Sequence, residues 1–398
     1  MGSNLSEETA PILSGEAGKL NMDKLKYTSD LYGKGHFKYA IDNLKLPEGF
    51  VAYHKNNYSK YFNLPQSEFK NLNVLETGAG CGRHAIVLAL LGANVIATDL
   101  SPENIERGKE LKKYYNLSNV QFYQHDFTAP FKSQIEFDLV SAHNWVQHTE
   151  NPSLVIWNLL SSLKKGGKIY LSLYLARTFR FFIAQIARGV LKPEWYDLMK
   201  EYVKFHFPTG FRGFNNPDDI CMEIIFDDFF VPYCNTVTYE ILMHDAELLN
   251  CKPITPKPPL GDTHGVDCIY LRMGFQKCGE ASFSNSLQYT REIDEFSAPM
   301  PDHVKESAAL SNKIISHFGK LNDPVAACSF CLGLFRVRAE TSRTMDGFEK
   351  HKLLQSYLNS VLDNSVKSIS LHYDTAGLWD EARKNNGELP AAPGAIFY

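Results

Sequence analysis

Residues 74–85 read Val-Leu-Glu-Thr-Gly-Ala-Gly-Cys-Gly-Arg-His-Ala, and this stretch decides how the chain is organised. Asn73 to Thr77 has the pattern of a short buried strand, and Arg83 to Leu91 continues as an apolar helix. Between them Gly78, Gly80 and Gly82 stand at alternate positions. Glycines so placed let the backbone turn sharply and approach a ligand, while the helix that follows offers its unpaired N–H groups. Strand, glycine-rich turn and helix form the opening of a nucleotide-binding βαβ unit. A dinucleotide site wants Gly-x-Gly-x-x-Gly, however, and here the third glycine comes one residue early. Glu76 also sits at the strand end. An anionic strand end suits a ligand carrying an ammonium or sulfonium charge better than one carrying phosphates.

Outward from this motif the alternation repeats. Strands are expected at Asn94–Thr98, Val120–Tyr123, Phe137–Ala142 and Lys168–Tyr174, with helices at Pro102–Tyr115 and Pro152–Leu163. That spacing predicts a doubly wound, mostly parallel α/β sheet. Two late strands around Lys252–Thr255 and Cys268–Met273 suggest an antiparallel hairpin at the sheet edge. Thr178–Leu191 is an amphipathic helix and reads as a lid over a pocket. Phe205–Asp228 is rich in loop residues, Thr238–Leu249 is helical, and His303–Leu321 and Gly347–Leu362 are helices of a mostly helical C-terminal region. The organisation expected is a tail (1–22), a helical N-terminal cap (23–70), a ligand-binding domain (71–280) with a lid segment (175–237), and a C-terminal extension (281–398).

Composition narrows the function. Among 398 residues, 41 basic and 45 acidic side chains leave a formal charge of -4, with no Lys/Arg concentration able to follow a phosphate backbone, so nucleic acid is not expected as a partner. No transmembrane segment or signal peptide is visible, and eight scattered cysteines fit a reducing, cytoplasmic setting. Gly2 and Ser6 make a short match to an N-myristoylation pattern. No metal is expected: Asp227 and Asp228 are adjacent and seldom chelate alone, and Cys328 and Cys331 form a Cys-x-x-Cys without a partner pair.

Asp99 ends the second strand, where a carboxylate can accept ribose hydroxyls, and Asp126 ends the third, with Phe127 beside it to pack on a base. Either aspartate would serve equally as a helix cap. In the order ETGAGCG, VIATDLS, HDF, FDLVSAHNWVQHTENP and LLSSLKKGGKIYLSLY, the chain resembles the class I S-adenosylmethionine-dependent methyltransferases over roughly residues 72–279. The resemblance implies their seven-stranded sheet with an antiparallel final hairpin, and S-adenosylmethionine as cofactor. It implies that Glu76, Gly78, Gly80 and Gly82 line the methionine end, with Arg83 at the cofactor carboxylate or paired with a surface acid. Asp99 and Leu100 would meet the ribose, Asp126 and Phe127 the adenine, and His143 and Asn144 the sulfur region.

His148 stands where a neutral imidazole could take a proton from the methyl acceptor, with Tyr239 as a second catalytic candidate. Tyr174, Arg177, His206 and Asp227 are candidate substrate contacts. The function expected is methyl transfer to an oxygen or nitrogen of a small molecule. The alternatives are a protein or RNA methyltransferase that docks through its C-terminal region, and a non-catalytic cofactor-binding regulator. The C-terminal region is also a candidate homodimer interface.

Overall fold

A computed structural model describes residues 28–29, 32, 44–131, 133, 135–176, 178–206, 227–258, 270–280, 300–341 and 345–363. In chain order its elements are α1 (Glu48–Phe62), β1 (Asn73–Thr77), α2 (Arg83–Leu90), β2 (Asn94–Asp99), α3 (Pro102–Tyr114), β3 (Val120–Gln124), β4 (Phe137–His143), α4 (Pro152–Ser161) and β5 (Leu163–Tyr174). They continue with α5 (Phe179–Val190), α6 (Tyr196–His206), α7 (Tyr239–Leu248), β6 (Cys251–Pro253), β7 (Tyr270–Lys277), α8 (Asp302–Leu321), α9 (Pro324–Glu340) and α10 (Gly347–Asp363). The expected tail, most of the cap before residue 44, Arg177 and the residues after 363 lie outside the described residues.

The chain divides into two compact units. The first comprises residues 1–175, 232–259 and 270–296 and holds one seven-stranded sheet in the order β3-β2-β1-β4-β5-β7-β6. Five strands are parallel, and β7 runs antiparallel between β5 and β6. The order reverses between β1 and β4. In such sheets the crevice beyond the carboxyl ends of these two strands is where ligands bind. The central strands are buried on both faces, which is why their sequences read as near-continuous apolar runs rather than as alternation. The helix starts follow local chemistry: Ser101 Oγ accepts from the Asn104 N–H at 3.3 Å and Asn151 Oδ1 from the Leu154 N–H at 3.0 Å, each just before a proline-led helix.

Two expectations need correcting here. β5 begins at Leu163 rather than Lys168, because a bulge with Gly166 at φ +79° carries the strand through Lys164–Gly167. The first late strand lies at Cys251–Pro253, shifted from the expected Lys252–Thr255, and the second, described from Tyr270, runs past Met273 to Lys277, since β7 pairs with all of Lys168–Tyr174 on β5. The cap contributes a helix, α1, packed directly on the sheet: a Cβ at Gly274 of β7 would overlap the Tyr61 carbonyl oxygen.

The second unit comprises residues 176–231, 260–269 and 297–398, so the described part of the expected lid segment between 176 and 231 folds with the C-terminal helices, while 175 and 232–237 belong to the first unit. The apolar face of α5, including Phe179, Ile183, Ile186 and Val190, is buried, with α8, α9 and α10 packed on the helix. At Gly189 a Cβ would come within 2.6 Å of the Ile315 side chain, so the glycine permits that close helix crossing. Two helices the sequence reading did not delimit, α6 and α9, complete this core. At its centre Asp228 is wholly buried and held by Arg180, whose Nε and Nη2 donate at 2.8 and 3.1 Å, and by Arg338 Nη1 at 2.8 Å.

Removing that carboxylate leaves two guanidinium groups in a dry core. Asp228→Ala is expected to lower the unfolding free energy by about 3–5 kcal/mol, read from urea denaturation. A loss under about 1 kcal/mol would mean that Asp228 behaves as a solvent-screened pair.

Candidate active site

The glycine turn that ends β1 is left-handed at all three positions, with φ +58° at Gly78, +53° at Gly80 and +89° at Gly82, a conformation that other residues adopt only with strain. The three glycines have different tasks. A Cβ at Gly78 would overlap the indole of Trp145, which lies across the turn and donates from Nε1 to Thr77 Oγ1 at 3.1 Å. Gly80 donates its N–H to Asp99 Oδ2 at 2.8 Å. Gly82, expected at the methionine end, is instead a packing glycine: a Cβ there would meet the Phe122 ring at 2.7 Å and the Gly108 backbone at 3.0 Å.

Glu76 is 1% exposed, and neither carboxylate oxygen has a hydrogen-bond partner of normal geometry. Burial pushes its pKa up to about 8, with the Ser141 hydroxyl pulling weakly the other way. A buried carboxylate left like this is costly in isolation and matched by a ligand that brings a positive N–H donor. Asp99 is also buried, which raises its pKa, while hydrogen bonds oppose the rise: Ser101 N–H at 2.9 Å and Asn104 Nδ2 at 3.1 Å on Oδ1, and Gly80 on Oδ2. Its two oxygens keep lone pairs for ribose hydroxyls, and Leu100, expected beside it, accepts from Gln124 Nε2 at 2.9 Å through its carbonyl.

Asp126 is half-buried and accepts from the Thr128 N–H at 2.9 Å and hydroxyl at 2.8 Å, so the turn-capping reading holds for it. Phe127 packs at 5.8 Å from the Trp145 ring, and Asn158 ties its carbonyl at 2.8 Å. Asn144 holds φ +60° and its Oδ1 accepts from the Ser172 hydroxyl, anchoring the turn after β4 to β5. His148 is 8% exposed. Its Nδ1 lies 3.1 Å from the Tyr233 carbonyl, which can only accept, so the proton resides on Nδ1 and Nε2 presents its lone pair, 3.4 Å from Gln147 Nε2. The buried Tyr174 ring meets His148 edge-on at 5.2 Å.

The other candidates stand apart. The Tyr239 ring opens α7 under the Lys257 ammonium at 4.6 Å, a packing role. His206 and Asp227 belong to the second unit. The metal reading of the aspartate pair fails at Asp228, whose oxygens are taken by two arginines. Cys328 and Cys331 are buried in α9, and burial pushes the first thiol up to about 12 and the second well above the ordinary thiol range. These are inert core thiols.

What the sequence reading missed is that His54 and His84 join the candidate His143 in one cluster of imidazoles. His54 of α1, His84 of α2 and His143 of β4 place one ligand atom each within 4.8 Å of one another. Burial lowers all three pKa values, to about 4 for His54 and well below the ordinary histidine range for His84 and His143, with the positive charge of Arg272 adding to the effect. Arg83, at the start of α2, lies 5.4 Å over the Phe50 ring and adds to the field on His54 and His84. Tyr58 and Tyr170 are both buried, which raises their hydroxyl pKa values; the Glu76 charge adds to the rise at Tyr58, while Arg272 opposes it at Tyr170.

A crevice at the strand-order reversal, an orphaned carboxylate at the end of β1 and a second acid at the end of β2 define a nucleoside-binding α/β domain whose ligand carries a positive charge. Residues 68–203 match the family model described as a methyltransferase domain. That segment is a methyltransferase domain, in line with the resemblance to the class I S-adenosylmethionine-dependent methyltransferases. It is 28% identical over 121 residues to the ubiquinone biosynthesis O-methyltransferase of Coxiella burnetii, covering 30% of this chain and 51% of that protein. It is 32% identical over 109 residues to the tRNA 5-carboxymethoxyuridine methyltransferase of Escherichia coli, covering 27% of this chain and 42% of the other. The chain thus spans about half the length of the curated relatives it matches. Among solved structures, it is similar to magnesium protoporphyrin IX methyltransferase from Synechocystis with a TM-score of 0.35 and 11% identity, over 65% of this chain and 92% of that one.

The Glu76 environment sets a pH signature. With a pKa of about 8 the free protein holds Glu76 protonated at pH 7. A ligand ammonium requires the carboxylate, so binding releases a proton below pH 8. The affinity for S-adenosylhomocysteine is expected to rise with pH toward 8, by up to about tenfold per unit, and then level off. Glu76→Gln should flatten the profile and cost about 1.5–3 kcal/mol of binding at pH 8. Calorimetry in buffers of different ionisation enthalpy reads the proton directly; a pH-independent wild-type affinity would remove the ammonium partner from Glu76.

Proposed function

We propose that this protein is a methyltransferase that moves the methyl group of S-adenosylmethionine to an oxygen or nitrogen of a small molecule. The observation that carries the reading is Glu76, a buried carboxylate with both oxygens unpartnered at the mouth of the glycine turn. Glu76 would hold the cofactor's ammonium, Asp99 its ribose hydroxyls, and Phe127 and Trp145 the flat face of its adenine. When bound, the cofactor supplies a methyl group made electrophilic by the adjoining sulfonium.

The chain's own contribution is orientation and one proton. His148 keeps its Nδ1 proton on the Tyr233 carbonyl, so Nε2, which lies 3.4 Å from Gln147 Nε2, would serve as the base once an acceptor hydroxyl or amine displaces that amide. Nε2 would take the proton that the acceptor heteroatom loses on becoming methylated. The edge of Tyr174 keeps the imidazole in that plane. Much of the rate in such a displacement comes from holding the nucleophile in line, so loss of the base need not abolish it. The -4 net charge and the absence of a Lys/Arg concentration support a small acceptor over RNA.

Incubation with methyl-labelled cofactor and a cell extract split into small-molecule and macromolecular fractions tests the reading. Label is expected in a metabolite, and label in protein or RNA would overturn the small-molecule assignment. With the acceptor in hand, His148→Ala is expected to lower kcat by about 100- to 10000-fold, with cofactor affinity unchanged. An unchanged kcat would exclude His148 as the base.

A further inference from the structure

His54, His84 and His143 come from three separate elements: the middle of α1, the first turn of α2 and the last residue of β4. The His54 and His84 rings meet edge to face at 4.4 Å, and His84 lies against His143 at 4.2 Å. Packing alone would turn polar ring atoms toward partners, yet Nδ1 of His143 is buried with no hydrogen bond. On His84 the Tyr58 hydroxyl lies 2.9 Å from Nδ1, which leaves Nε2 for whatever the cluster holds. Behind Tyr58 stands Glu76, close enough for its charge to act on the phenol. A carboxylate and a hydroxyl behind a histidine are the outer groups that orient metal-binding imidazoles.

We propose that His54, His84 and His143 form a binding site for a divalent transition metal of the zinc type, with a fourth position open. Three imidazoles without a carboxylate favour zinc, nickel, copper or cobalt over magnesium or calcium. The ligand atoms lie within 4.8 Å of one another. Tetrahedral zinc with bonds of about 2.0–2.1 Å spaces its ligands roughly 3.3 Å apart, so small side-chain rotations close the site. Three histidines and an open position make a catalytic rather than a structural site.

The surrounding charge decides what fills that position. Arg83 and Arg272 both act on His54 and His84, and Arg272 also acts on His143 and reaches the Tyr53 hydroxyl at 3.3 Å. They oppose a bare dication and favour one that arrives with an anion, so the fourth ligand is an anionic oxygen. Under the methyl-transfer reading that oxygen belongs to the acceptor, whose hydroxyl the metal would make more acidic, with His148 Nε2 as the recipient of its proton. The metal site itself stands or falls without that reading.

Full-length protein stripped with a chelator and titrated with cobalt(II) chloride is the test. One equivalent should bind and give visible bands of four- or five-coordinate intensity, displaced by zinc and shifted by azide. His54→Ala, His84→Ala and His143→Ala, each checked by circular dichroism for a retained fold, should lose the bands, whereas His244→Ala, with its more exposed imidazole, should keep them. Wild-type protein with no bands, or only weak octahedral ones, overturns the site, and that reading needs no variant to fold. Bands indifferent to azide overturn the open position. Methyl transfer plays no part in this readout, so its failure leaves the result intact.

Discussion

A carboxylate buried without a partner is the constraint around which the first unit is arranged. Glu76 lies on the central strand β1, beside the point where the strand order reverses, with Tyr58, Ser141 and Tyr170 as its polar neighbours. Burial makes the ionised form expensive, so the free protein keeps the group protonated, and a cationic ligand reverses the balance. The glycine turn, the indole lying across it and the imidazole cluster all meet this same strand end. Conformations that would be liabilities elsewhere, three left-handed glycines and a left-handed Asn144, are concentrated here.

The two sides of the crevice are built differently. On the nucleoside side Asp99 is fastened by two backbone N–H groups and an amide, so the carboxylate that would read a ribose also ties the glycine turn to β2. One residue thus serves structure and binding, and its loss would loosen both. On the other side the groups are neutral imidazoles and phenols under the field of two arginines, a dry environment in which any charge brought by a ligand weighs heavily. His148 lies outside that cluster, its tautomer set by a carbonyl from the segment just before α7.

The second unit uses a different device. Its core closes over an aspartate shared by two arginines, Arg180 of α5 and Arg338 of α9. Such a triad adds little net stability compared with an apolar core, but it penalises any arrangement that separates the three groups. It therefore specifies which helices pack together. The apolar face of α5, which by sequence alone reads as that of a lid over a pocket, is accounted for by α8, α9 and α10.

What the sequence determined by itself were the features governed by neighbours along the chain. Buried-strand runs, a glycine turn that L-residues cannot make, and Ser101 and Asn151 ahead of proline-led helices fixed the sheet and the positions of Glu76 and Asp99. Strand ends were less legible, because β5 and β7 set each other's limits by pairing: the bulge at Gly166 and the run of β7 past Met273 to Lys277 belong to no local pattern. Only the tertiary structure decided that Gly82 packs against Phe122, that residues 176–231 join the C-terminal helices, and that His54, His84 and His143 meet. The reason is physical. Periodicity shows which face of an element is apolar, but which faces come together depends on shape and buried charge across elements distant in sequence.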